Sequence, residues 1–127
     1  MAIRVIHIKD APAGWRQNTE FVFIGRGSDW GNQWSHLPNS AAKHKVESLA
    51  QAIRKHREDL LNRPEMLVRL PELADKTLVC YCKPKDCHGD FLAFAADLAI
   101  HAIRIFGWSE FRREPKGCLL QAFRRIR

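Results

Sequence analysis

A chain of 127 residues suits one domain and hardly two. At 46% hydrophobic and 28% charged residues it has the composition of a folded protein, and no stretch approaches the roughly 20 apolar residues of a membrane span; together these set aside disorder and a helical membrane anchor. The net charge of +7 is uneven: residues 104–127 hold seven basic and two acidic side chains, while the first 103 residues carry only +2.

In chain order, Val5-Ile6-His7-Ile8 alternates weakly and reads as a first strand. Residues 10–18, with Pro12 and Gly14, read as a loop. Phe21-Val22-Phe23-Ile24 reads as a short buried strand that stops at Gly25-Arg26-Gly27-Ser28. Residues 29–39 are polar and rich in Trp, Gly and Pro, an ordered loop, with Asn39 or Ser40 as the cap of the next helix. Residues 42–61 carry Val46, Leu49, Ala50, Ile53, Leu60 and Leu61 at helical spacing. Pro64 suits the first turn of a short helix over residues 65–70, and residues 71–74 add a further turn. Residues 77–82 form the clearest strand, a continuous apolar run of the kind found in the middle of a sheet. A long helix opens at His88-Gly89-Asp90, buries Phe91, Phe94, Ala95, Leu98, Ala102 and Ile105, and ends at Gly107. A last short helix is expected over residues 118–126. Strands alternating with helices predict a Rossmann-like α/β fold of two or three layers with a mainly parallel sheet, formed by residues 1–107. Residues 108–127 are expected as a basic helical arm packed on it. A hairpin of the first two strands stays open.

In a parallel sheet, ligands bind where loops leave the carboxyl ends of strands. Two such loops carry reactive side chains. The first, residues 25–32, offers Gly25, Arg26, Gly27, Ser28, Trp30 and Asn32: backbone amides at glycine, a guanidinium and a hydroxyl suit a phosphate, and Trp30 and Trp34 are either stacking platforms for a base or core residues. The second, residues 80–90, holds three of the four cysteines. A thiol at a helix start has its pKa lowered, so Cys87 reads as a nucleophile with His88 and Asp90 as acid–base groups.

Cys80, Cys82, Cys87 and His88 also make a Cys3His ligand set for zinc. Against that set stands the strand: residues two apart lie about 6.6 Å apart at Cα, so the chain must bend at Cys82 to bring both sulfurs to one ion. Inert packing is a third reading, favoured for Cys80. His7, His36, His44, His56 and His101 have no ligand-like spacing and read as surface or satisfied core residues, and Cys118 reads as packing. Arg112, Arg113, Lys116, Arg124, Arg125 and Arg127 attract polyanions such as nucleic acid, or simply solvate the surface.

The string from Ile24 to Asn32, IGRGSxWGN, followed by the CxCxPxxCHGD motif from Cys80 to Asp90, resembles a family of small phage and bacterial proteins known only as a domain of unknown function. The resemblance covers roughly Val5 to Leu98. Gln33-Trp34 departs from it, as does the arm beyond Gly107. It implies a phage origin and supports the fold and the two loops, but names no reaction.

Three functions stay open: an enzyme acting on a nucleotide or nucleic-acid base, a nucleic-acid-binding module stabilised by zinc, and a phage protein that modulates a host protein. With no apolar leader in residues 1–10, the expected place is the cytoplasm, the host's if the protein is phage-encoded, with reduced thiols and no membrane partner.

Overall fold

A computed structural model describes residues 3–37 and 42–126. The elements run β1 (Arg4–His7), two 3-10 turns (Ile8–Asp10 and Trp15–Gln17), β2 (Phe21–Phe23), β3 (Trp34–Ser35), β4 (His44–Lys45), α1 (Leu49–Leu61), α2 (Pro64–Leu67), a 3-10 turn (Leu70–Leu73), β5 (Thr77–Cys80), α3 (His88–Phe106), α4 (Trp108–Arg113) and α5 (Pro115–Arg125). The fold is a small α/β architecture with parallel sheets.

The apolar run of β5 takes the central place, between β1 and β2 and parallel to both. Leu78, Val79 and Cys80 are fully buried, as a strand covered on both faces requires. With β5 lying between them, β1 and β2 form no hairpin. Alternation of side chains sends Val5 and Ile24 toward the first turn of α3. Phe23 points the other way and meets Trp15, carried by the second 3-10 turn.

α3 is the axis of the helical layer. Its buried stripe is Leu92, Ala95, Ala96, Leu98, Ala99 and Ala102. The expected stripe was rotated toward Phe91, Phe94 and Ile105; Phe94 is 43% exposed instead. The small alanine face lets neighbouring helices approach closely, so the large aromatic residues are displaced to the flank. Phe111, Cys118, Leu119 and Ala122, from α4 and α5, join the same core cluster. The C-terminal segment therefore contributes to the core as well as to the charge.

α1 begins at Leu49, not at residue 42. Ser48 caps it by accepting the amide of Gln51, while His44 and Lys45 pair with Trp34 and Ser35 in a two-stranded ribbon. Its buried residues are Ala52, His56 and Leu60. The cap expected at Asn39 or Ser40 lies outside the described residues. No helix among the described residues is long and apolar enough to cross a membrane.

A close fit lies where α3 starts. A Cβ on Gly89 would lie 2.6 Å from Ile24 Cδ1 and 2.9 Å from Val5 Cγ1. Gly89→Ala should lower stability by about 1–3 kcal/mol, the usual range for overpacking. Urea unfolding monitored by circular dichroism would check this, and a variant as stable as the parent would refute the contact.

Candidate functional site

Because β2 and β5 are parallel, with Phe23 opposite Val79, both chains leave the sheet at the same edge. Ile24 adds one more rung, its amide donating to Val79 O at 3.0 Å. The carbonyl of Ile24 then accepts a hydrogen bond from His88 Nε2 at 2.7 Å. The residue just before the first predicted loop is thus joined to the helix start of the second, through a backbone carbonyl and an imidazole.

The strand ends at Cys80, two residues earlier than expected. Cys82 lies beyond it, in a turn whose Lys85 amide donates to Cys82 O at 2.9 Å. The strand spacing that argued against two cysteines on one ion therefore does not apply. Cys87 is the N-cap of α3: its sulfur accepts the Gly89 amide at 3.3 Å, and the Asp90 carboxylate accepts the Cys87 amide at 3.4 Å, completing a capping box. Asp90 also pairs with Lys83 Nζ at 2.6 Å.

Cys82, Cys87 and His88 bring ligand atoms within 4.8 Å of one another, a cluster that could hold a metal ion. A carbonyl oxygen only accepts, so the bond to Ile24 places the imidazole proton on Nε2. Nδ1 is left with its lone pair, 3.8 Å from Cys87 Sγ. Cys80 is outside that mutual grouping, yet its sulfur interacts with the thiols of Cys82 and Cys87 and with the amides of Lys83 and Cys82. These donors, the Cys82 thiol first, push the Cys80 thiol down to about 2. The thiol of Cys87 is held above its ordinary range, chiefly because it donates to Cys80, and Cys82 is raised for the same reason. The expected lowered pKa at Cys87 is not found: hydrogen bonding to the Cys80 and Cys82 thiols and burial outweigh the Gly89 amide, which acts to lower it.

The first loop is largely engaged in holding itself. Ser28 Oγ donates to Gly25 O at 2.7 Å, and Arg26 Nε to Asn32 O at 3.2 Å. The approach is so close that a Cβ on Gly31 would lie 2.6 Å from Gly25 O. Asn32 is buried; its Nδ2 donates to Ala52 O at 3.0 Å and its Oδ1 accepts the Trp34 amide at 2.9 Å. Trp30 belongs to the core, with the guanidinium of Arg69 over its ring. Of the anion-binding groups predicted there, Arg26 and Gly27 face solvent.

Among the arm cations, Arg112, Arg113, Lys116, Arg124 and Arg125 are exposed. Arg113 is neutralised by Glu110 and Glu114. Arg125 covers Phe106 at 5.3 Å. Arg127 lies outside the described residues.

Sequence reasoning passed over His56. It is buried against His88, ring centroids 4.7 Å apart, and its Nε2 lies 3.1 Å from Trp30 O. Its Nδ1 has no hydrogen-bond partner among the described residues. Its place in the buried stripe of α1, four residues after Ala52 and four before Leu60, was the available signal.

These features define a small parallel α/β protein with a thiol–imidazole cluster at the carboxyl edge of its sheet. The chain belongs to the family described as a domain of unknown function, DUF4326, whose match spans residues 6–98. No curated protein and no solved structure matches it.

The histidine pair makes stability sensitive to acid. Burial first, and the neighbouring His88 second, lower the pKa of His56 from 6.5 to about 4, and burial lowers His88 as well. A neutral buried imidazole leaves stability intact above pH 6.5. Below it the unfolded chain takes up the proton first, so stability falls by about 1.4 kcal/mol per pH unit from His56 alone until pH nears 4. Urea titrations at pH 7.5, 6 and 5 should show this decline, and His56→Gln should make it shallower.

Proposed function

We propose that this protein is a nucleic-acid-binding module whose fold is completed by one zinc ion held by Cys80, Cys82, Cys87 and His88. The observation that carries the reading is the state of His88. One ring nitrogen is tied to a backbone carbonyl and the other, unprotonated, faces a thiol. Metal-bound histidines are oriented this way by their second nitrogen. Tetrahedral zinc, with bonds of about 2.3 Å to sulfur, places its ligands about 3.8 Å apart, the scale of this cluster. Backbone amides aimed at the sulfurs of Cys80 and Cys87 favour thiolates. Cys80, whose sulfur interacts with the thiols of Cys82 and Cys87, is the fourth ligand.

Four protein ligands leave no open coordination position, so the ion would hold structure rather than activate water. The groups that could instead perform catalysis have other commitments. Asp90 caps α3 and pairs with Lys83, and the imidazole of His88 is buried and tied to Ile24. Ser28 is bonded to Gly25. The nucleic-acid half of the reading rests on charge. Of the excess of +7, +5 lies in residues 104–127, where Arg112, Lys116, Arg124 and Arg125 are exposed.

Protein purified without chelator should contain about one zinc per chain by mass spectrometry of the metal. Cys82→Ser or Cys87→Ser should release it and lower the melting temperature. A metal-free chain with unchanged melting, to which added zinc brings no stabilisation, would end the metal half of the reading. Affinity for duplex DNA should fall steeply with salt, and Arg124→Glu with Arg125→Glu should reduce the slope of log K against log salt by about 2.

A further inference from the structure

Tyr81 sits between two of the cluster cysteines and is 60% exposed. Its ring is not loose. It stands perpendicular to the ring of His7, with centroids 6.3 Å apart, and to that of Phe23, with centroids 5.9 Å apart. Phe23 in turn meets Trp15 at 6.2 Å. The guanidinium of Arg16 lies 4.3 Å above the Trp15 ring and 5.5 Å from that of Phe23. His7, Phe23 and Tyr81 come from the carboxyl ends of β1, β2 and β5. The parallel register therefore brings these three rings together at one edge of the sheet.

An exposed tyrosine alone is ordinary. Here the ring is braced on two sides and its backbone is flanked by Cys80 and Cys82, so little freedom is lost when something stacks on it. The row continues into an aromatic–guanidinium stack, and both types of surface receive unpaired bases. Arg16 lies on this row, Arg26 is near enough to act on the Cys82 thiol, and Lys83, paired with Asp90, follows Cys82 directly. Aromatic and guanidinium faces beside cationic side chains fit a base and its phosphates better than they fit an apolar peptide.

We infer that Tyr81, Phe23, Trp15 and Arg16 form a stacking platform for the bases of single-stranded nucleic acid. This rests on the nucleic-acid reading above and specifies its ligand: unpaired strands, held by base stacking at the sheet edge in addition to phosphate contacts on the arm.

The test compares oligothymidylate of about 12 nucleotides with an abasic oligomer of equal length and charge, and with duplex DNA, using the full chain and fluorescence titration. The parent protein should bind oligothymidylate about tenfold or more tightly than the abasic strand, with tryptophan quenching from Trp15. Tyr81→Ala should abolish that preference and leave abasic binding in place, and Tyr81→Phe should restore it. Arg16→Ala, at an exposed position, should weaken the preference without change in zinc content or melting temperature. Equal affinity of the parent for thymidylate and abasic strands would overturn the platform and leave binding through the arm intact. Tyr81→Ala with the parent's preference would do the same. Binding of none of the three would overturn both the platform and the nucleic-acid reading.

Discussion

The hydrogen bond from His88 Nε2 to Ile24 O is the contact on which the site depends. It joins a loop that follows β2 to a helix that follows β5, residues 64 apart in sequence. It also fixes the imidazole tautomer, and so decides which nitrogen faces the thiols. The bond is buried, where an unmet carbonyl or N–H would cost about 1–3 kcal/mol, so both partners are held in place by the penalty of separation. Around it the packing leaves no slack: Gly89 touches Ile24 and Val5, and His56 lies edge-on to the same imidazole.

That arrangement explains why the first loop is rigid without resembling a phosphate cradle. Its hydroxyl and its buried asparagine are turned inward. Asn32 ties the loop to α1 through Ala52, and Trp30 offers its carbonyl to His56 of the same helix. The loop therefore supports Ile24 from behind, while Arg26 remains at the rim with its charge directed at the cluster, where it acts on both Cys82 and His88. A cation there favours the ionised form of a neighbouring thiol.

Much of this was legible in the sequence because it depends on local pattern. The apolar run before Cys80 marked the central strand, and the cysteine–histidine helix start marked the cluster. Parallel pairing followed from the alternation of strands and helices. What could not be read was set by contacts distant in sequence. The strand stops at Cys80 because the chain turns to pack Cys82 toward Cys87, and no propensity records that. The alanine side of α3, rather than its phenylalanines, became the core because α5 approaches closely, a fact about the partner helix. The place of His56 in the buried stripe of α1 was readable, but its pairing with His88 was not, because that contact joins two distant helices. Helix spacing extended α1 back to residue 42, where the pairing of β3 with β4 overrides it.

The same geometry separates two tasks on one short segment. Within Cys80-Tyr81-Cys82, the two sulfurs turn inward and the aromatic ring between them turns out. If the sulfurs hold a metal, the ring between them inherits a fixed backbone without needing a hydrophobic socket of its own. A three-stranded sheet has little area with which to anchor an exposed aromatic by packing. In that case the neighbours' sulfurs would add to the bracing that His7 and Phe23 already give the ring. The surface chemistry of the edge and the chemistry of the cluster beneath it are therefore not independent features of this fold. Loosening the cluster would loosen the row of rings above it, whereas removing the tyrosine ring would leave the cluster unchanged.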